Sequence, residues 1–189
     1  KFENLISEFT GSAYTVAVVN GTVALKVGLH LLGVKRDDEV LIPSLSFVAT
    51  ANAVVHAGAI PHFLDVDDET LGINTNILED YLCEIAILKN RFLFNKKTGR
   101  RISVIVPMHT YGHPVKINEI LRIAKKFNLK VLEDSAEALG SFYKKKHLGT
   151  FGDIGILSFN GNKTITTGGG GAILTNNFNT FKLAKHLTT

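Results

Sequence analysis

The stretch Tyr14-Thr15-Val16-Ala17-Val18-Val19, followed by Asn20-Gly21-Thr22 and then Val23-Ala24-Leu25-Lys26-Val27-Gly28-Leu29-His30-Leu31-Leu32, reads as strand, turn and helix. It predicts a strand over 14–19 and a helix over 22–32, the repeating unit of an α/β domain with a mainly parallel sheet. The same alternation continues outward. Strands are expected at 39–42, 60–66, 101–106, 130–132, 155–159 and 172–175, and helices at 47–56, 74–84, 118–127 and 178–186. In several of these strands β-branched residues fill both faces, as in a sheet covered on two sides. Ile120, Leu121, Ile123, Ala124 and Phe127 follow helical spacing. Residues 92–101 interrupt the rhythm and read as an inserted hairpin, closed by an Asn/Gly turn at Asn95-Lys96-Lys97-Thr98-Gly99.

The chain has 189 residues, 45% of them hydrophobic and 20% charged, enough apolar surface for one core and too much for disorder. No apolar run approaches the roughly 20 residues that cross a bilayer, and residues 1–10 lack the order of a secretory signal. A soluble, cytoplasmic protein is expected. Cys83, the single cysteine, has no thiol partner for a disulfide, a redox pair or a thiolate zinc site, and is expected to pack as a small apolar residue. Part of the excess behind the net charge of +4 sits in Lys96/Lys97/Arg100/Arg101 and Lys144/Lys145/Lys146. No recognition helix or aromatic RNA-binding motif accompanies these clusters, so they read as solvated loops and not as a nucleic-acid surface. Of the 17 glycines, four form the run Gly168 to Gly171, a placement that suggests backbone brought close to something.

Three places could carry chemistry. The Asn20-Gly21-Thr22 turn is either an ordinary strand-to-helix connection or an anion site, because free N–H groups and the positive end of a helix dipole converge there. It is neither a dinucleotide glycine motif nor a Walker loop. Val131-Leu132-Glu133-Asp134 brings a carboxylate to the C-terminal end of a parallel strand, where α/β sheets bind ligands; Asp134 is either solvated or aimed into a cleft. Lys163 stands in Ser158-Phe159-Asn160-Gly161-Asn162-Lys163-Thr164 among small polar neighbours, as a surface charge or as an amine that reaches a carbonyl carbon. His109 and His113 have the spacing of a helical zinc pair, but Gly112 and Pro114 argue against the helix, and no metal is expected.

Together these motifs resemble the DegT/StrS family of pyridoxal-phosphate-dependent sugar aminotransferases. The resemblance covers nearly the whole chain: Asn20-Gly-Thr-Val-Ala-Leu25, Ile42-Pro-Ser-Leu-Ser-Phe-Val-Ala-Thr-Ala-Asn52, Gly58-Ala-Ile-Pro61, Val106-Pro-Met-His-Thr-Tyr-Gly112, Glu133-Asp-Ser-Ala-Glu137, Gly149-Thr-Phe-Gly-Asp153 and Ser158 to Gly171. The last motif, with the basic insertion at 95–101, is most similar to the branch acting on UDP-linked 4-keto-6-deoxy-N-acetylhexosamines. The resemblance implies the three-layer α/β/α fold of the type I aminotransferase large domain over residues 1–189, with the family's smaller C-terminal domain outside this chain. It also implies a homodimer that binds a nucleotide sugar and an amino donor, glutamate being expected, and transfers the amino group to C4 of the sugar for surface-polysaccharide synthesis.

By the same resemblance Lys163 would hold pyridoxal 5'-phosphate through its amine and move the proton at the reacting carbon. Asp134 would pair with the pyridine nitrogen. Gly21, Thr22 and Val23 would bind the phosphate with Ser158, and Phe47 would stack on the ring. Glu137 would lie near the phenolic oxygen, where many members carry Gln or His and where a carboxylate is repelled unless protonated or turned away. His109 and Tyr111 would lie toward the substrate. Dehydratase members replace the lysine with histidine, so Lys163 favours transamination over dehydration. A non-catalytic remnant that binds cofactor or sugar nucleotide, or that dimerises, is the competing reading.

Overall fold

A helix not anticipated from the sequence, α1 (Phe2–Thr10), precedes the first strand and ends where Gly11 takes φ 75° and donates its N–H to the Ser7 carbonyl. The computed structural model describes residues 1–188. Strand β1 (Tyr14–Val18) then runs into α2 (Gly21–Leu31). The helix starts at Gly21 because Asn20 Oδ1 accepts the Val23 N–H at 2.8 Å, the usual work of an N-cap residue.

The expected order of elements follows: β2 (Glu39–Pro43), α3 (Val48–His56), β3 (Ile60–Leu64) and α4 (Thr75–Ile85). Then come β4 (Ala86–Lys89), β5 (Phe92–Asn95), β6 (Arg101–Ile105), α5 (Ile117–Lys126) and β7 (Lys130–Asp134). The hairpin of β8 (Phe142–Tyr143) and β9 (Lys146–His147) leads to β10 (Ile154–Ser158), β11 (Gly171–Thr175) and α6 (Phe178–Thr188). The central order is β1-β11-β10-β7-β6-β2-β3. Strands β10, β7, β6, β2 and β3 are parallel to one another, while β11 runs antiparallel to both of its neighbours. The expectation of an α/β, mainly parallel sheet is met, with β11 as the reversed strand.

Alternate strand residues feed two cores, which makes the domain three-layered. Val40, Val104, Leu132 and Ile156 pack with Leu25 and Leu29 of α2 and Val54 of α3. Leu41, Ile105 and Val131 pack on the other face with Leu78 and Leu82 of α4 and Ile120 and Ile123 of α5. Each fully buried Leu or Ile contributes roughly 1.5–3 kcal/mol of transfer free energy. A third, smaller cluster places Ile6 of α1 against Leu157, Phe159 and Leu174.

The inserted hairpin forms as predicted, β5 pairing antiparallel with β6, and it carries an extra strand, β4, on its outer side. Buried Glu39 clips it to the sheet by accepting from Thr98 Oγ1 (2.5 Å), Asn95 Nδ2 (2.9 Å) and His62 Nδ1 (2.8 Å). Burial opposes the charge, but these donors hold the Glu39 carboxyl below its usual range. The basic cluster beside it has structural partners as well. Lys96 Nζ donates to the carbonyls of Cys83 and Glu84 at the C-terminal end of α4, and Arg101 pairs with Asp38.

Two local expectations need correction, and a third is met at one end of the run it concerned. Cys83 is exposed and not packed, because α4 buries the stripe of Thr75, Leu78 and Leu82 and position 83 falls beside it. Strand β3 ends at Leu64, with Val66 making only an isolated bridge to Ile73. Within the glycine run, Gly168 and Gly169 have open space around them, and the close approach belongs to Gly171. A Cβ there would lie 2.6 Å from the Asn20 carbonyl carbon, so the start of β11 fits against the first turn of α2 only as glycine.

Candidate active site

Strands β1, β2, β6, β7 and β10 deliver their following loops to one cleft of about 260 Å3 at their C-terminal ends. Gly21, Thr22, Phe47, His109, Asp134, Glu137, Ser158 and Lys163 all border it. Residues far apart in sequence, each singled out by its local motif, are thus brought together. Val23 and Tyr111 do not line the cleft. The Val23 N–H is already used by Asn20, and the Tyr111 side chain is exposed.

At one end lies the first turn of α2. With the Val23 N–H capped, Gly21 and Thr22 carry the N–H groups that have no intrahelical acceptor. A Cβ at Gly21 would sit 3.0 Å from Ser158 Cβ and 3.2 Å from Ser158 Oγ, so the absent side chain leaves room for the serine hydroxyl beside the turn. Free N–H groups, two hydroxyls and a helix N-terminus form a donor set suited to a phosphate.

At the cleft floor, Asp134 is buried at the end of β7. Its Oδ2 accepts from Thr50 Oγ1 at 2.6 Å and its Oδ1 from the Ala136 N–H at 3.2 Å. Burial pushes its carboxyl above the usual range, against the pull of these two donors and of the Lys163 charge. A buried carboxylate with only neutral hydrogen-bond donors is a site that favours a cationic partner.

Lys163 extends from the loop between β10 and β11. Its side chain is only 6% exposed, its Nζ lies 3.0 Å from Glu137 Oε1, and the amine stands 4.8 Å from the centre of the Phe47 ring. Lys163 is therefore a cleft residue and not a surface charge. The other Glu137 oxygen accepts the Tyr111 N–H at 3.1 Å.

His109 borders the cleft with both ring nitrogens engaged. Nδ1 accepts the Val115 N–H (3.4 Å), which puts the proton on Nε2, 3.0 Å from Glu133 Oε2. Fully buried Glu133 also accepts the N–H groups of Gly149, Phe151 and Gly152 at 3.0, 2.6 and 2.6 Å. It thereby ties the loop before β10 to the end of β7. Glu133→Gln would turn an amide NH2 toward two of these four donors. The expected result is a loss of about 1–3 kcal/mol in a urea unfolding curve; an unchanged midpoint would mean that the loop is held by something else.

Sequence reasoning missed Thr50 and the capping role of Asn20. Thr50 had one available signal, a polar residue between Ala49 and Ala51 that shares the inward face of its helix with Ala53 and Val54. Asn160, Asn162 and Met108 also border the cleft and had not been given roles.

Comparison with known proteins places the chain in a family. The model of the DegT/DnrJ/EryC1/StrS aminotransferase family matches residues 1–189. The chain is 43% identical over 176 residues to the GDP-perosamine synthase of Escherichia coli, an alignment covering 93% of this chain and 44% of that protein. The crystal structure of an aminotransferase from Psychrobacter cryohalolentis superposes with a TM-score of 0.84 at 34% identity, covering 97% of this chain and 43% of the other. NtdA from Bacillus subtilis, solved with bound cofactor PMP, matches with a TM-score of 0.78 at 31% identity over 97% of this chain and 38% of the other. The chain spans less than half the length of each of these proteins.

Proposed function

The chain belongs to the DegT/DnrJ/EryC1/StrS aminotransferase family, and on that premise we propose that it is the cofactor-binding large domain of a pyridoxal-phosphate-dependent, homodimeric sugar aminotransferase. The amino group would come from glutamate and go to C4 of a nucleotide-linked 4-keto-6-deoxy sugar. The observation that carries this reading is the convergence of Lys163, buried Asp134 and the donor-rich first turn of α2 in one cleft. The names of the relatives support a nucleotide-linked sugar: they include GDP-perosamine synthases and a UDP-linked glucosamine 3-aminotransferase.

The residues present fit the cofactor. Gly21, Thr22 and Ser158 would hold its phosphate, Phe47 would cover the ring face, and Asp134 would meet the ring nitrogen. When bound, the cofactor supplies an aldehyde for amine attachment and a ring that accepts electron density. Asp134 serves this by keeping a proton on the facing nitrogen, since an ionised carboxylate and a cation at hydrogen-bond distance stabilise each other. Lys163 Nζ serves as nucleophile and, once freed, as the base that takes and returns a proton at the reacting carbon.

The homodimer is supported by an apolar face beside the cleft, where Phe2, Leu5 and Phe9 of α1 stand exposed next to Ile165 of the lysine loop. The test uses the full-length protein loaded with pyridoxal phosphate. Glutamate should yield 2-oxoglutarate, and a GDP- or UDP-linked 4-keto-6-deoxyhexose should acquire an amine that NMR assigns to C4. Retention of the cofactor without any 2-oxoglutarate would favour a binding module, and an amine at C3 would reject the C4 assignment alone.

A further inference from the structure

The main chain of Asp134 is fixed on both sides, its N–H donating to the Pro107 carbonyl at 2.8 Å and its carbonyl accepting the His109 N–H at 3.1 Å. Its side chain keeps the freedom to turn, and two donors settle it, one for each oxygen. The Ala136 N–H reaches Oδ1 from the loop that follows Asp134, in a long contact of 3.2 Å. Thr50 Oγ1 reaches Oδ2 from α3 at 2.6 Å, the length of a hydrogen bond to a charged oxygen. Thr50 is buried behind the cleft and does not border it. A threonine hydroxyl in a helix commonly turns back to the carbonyl one turn earlier, whereas this one gives its proton to Asp134. The turn that carries it begins at Phe47, whose carbonyl accepts the Thr50 N–H at 3.0 Å. One turn of α3 therefore ties the aromatic ring beside the cleft to the carboxylate at its floor.

We propose that Thr50 is a positioning residue: its hydroxyl sets the Asp134 carboxylate for the ring nitrogen of the cofactor and keeps it in register with Phe47. The inference rests on the reading of Asp134 as the partner of that nitrogen. A carboxylate offers about four acceptor positions, so after one donor on each oxygen Asp134 keeps capacity toward the cleft it borders. The neutral character of Thr50 matters as much as its reach. A lysine or arginine in its place would compete with a cationic ring for the same charge, while a hydroxyl fixes the group and leaves the charge to the ligand. Among the described residues no other side chain donates to Asp134. Lys163 Nζ is bonded to Glu137, and both ring nitrogens of His109 are engaged by Glu133 and the Val115 N–H.

The experiment compares the equilibrium binding of pyridoxal phosphate to the full-length, cofactor-free protein with that of its 1-deaza analogue, in which C–H replaces the ring nitrogen. The analogue keeps the aldehyde and the phosphate, so it draws equally on Lys163 and on the first turn of α2. The wild type should prefer pyridoxal phosphate. Thr50→Val keeps the branched shape and removes the donor. Its Kd for pyridoxal phosphate should rise at least about tenfold, the lower end for a lost hydrogen bond to a charged group, while its Kd for the analogue stays within about twofold. Thr50→Ala should show the same selective loss, so the result does not depend on how the valine packs, and Thr50→Ser, which returns the hydroxyl, should restore most of the preference. An equal loss for both ligands in the valine and alanine variants would make Thr50 a packing residue and overturn the proposal, as would a wild-type preference that survives in both. A wild type without any preference would reject the pairing of Asp134 with the ring nitrogen, and this proposal with it. The wild-type protein alone therefore tells failure of the underlying reading from failure of the role given to Thr50.

Discussion

Replacing Lys163 by alanine is expected to abolish the visible absorption band that pyridoxal phosphate gives with the full-length protein and to lower turnover by at least about 10²–10⁴-fold, the range for loss of a positioned acid-base group. Loss of the covalent attachment adds to that range. The size of the effect follows from the geometry, since Lys163 is the lysine that borders the cleft and its amine is aimed inward between Glu137 and Phe47. The fold should tolerate the change. Lys163 stands in the loop between β10 and β11, outside the three apolar clusters. An alanine variant with an intact band would move the attachment to another lysine and would remove the basis for the role given to Phe47.

Asp134→Asn should act in opposite directions on turnover and on stability. Turnover should fall by about 10²–10³, because a neutral amide cannot hold a proton on the facing ring nitrogen. The cofactor-free fold should become more stable at neutral pH. The sign follows from burial. The folded carboxyl is pushed up from an unfolded value of 3.8, so between the two values the folded state binds more protons than the unfolded one. Stability of the wild type therefore falls as pH rises through that window, and above it the buried charge carries its full cost. Below about 3.8 both states are protonated and the difference between Asp and Asn should vanish. Urea unfolding of the two proteins at acidic and neutral pH, without cofactor, measures this. Equal stabilities at neutral pH would mean that Asp134 is solvated or paired in a way the cleft does not show. A site residue that destabilises its own fold until a cation arrives is a familiar compromise between stability and function.

Much of this fold was legible because parallel strands covered on both faces leave continuous apolar runs between helical patterns. The elements that escaped had weaker local signals. Helix α1 has no side-chain cap at its start, and β4 is a short strand whose Ile87 and Leu88 are largely exposed. Cys83 was expected to pack, but it follows buried Leu82 by one position on the helix, enough to turn its side chain about 100° away from the buried stripe.

The candidate site was legible where a residue type stood out in its own motif, as with Asp134 at a strand end and Lys163 among small polar neighbours. It was not legible where a role depends on distant contacts. Thr50 reaches Asp134 across 84 positions, and Glu133 gathers donors from His109 and from a loop beginning at Gly149. Glu137 illustrates the same limit. Local sequence gives only a carboxylate shortly after Asp134, and the fold gives the pairing with Lys163 and the Tyr111 N–H.

The most direct test is chemical. The full-length protein is loaded with pyridoxal phosphate, reduced with borohydride to make the attachment permanent, digested and mapped by mass spectrometry. The account predicts a reduced cofactor on the peptide containing Lys163 and at that residue alone. Modification of a different lysine, or an unmodified Lys163 in a protein that has retained the cofactor, would contradict it.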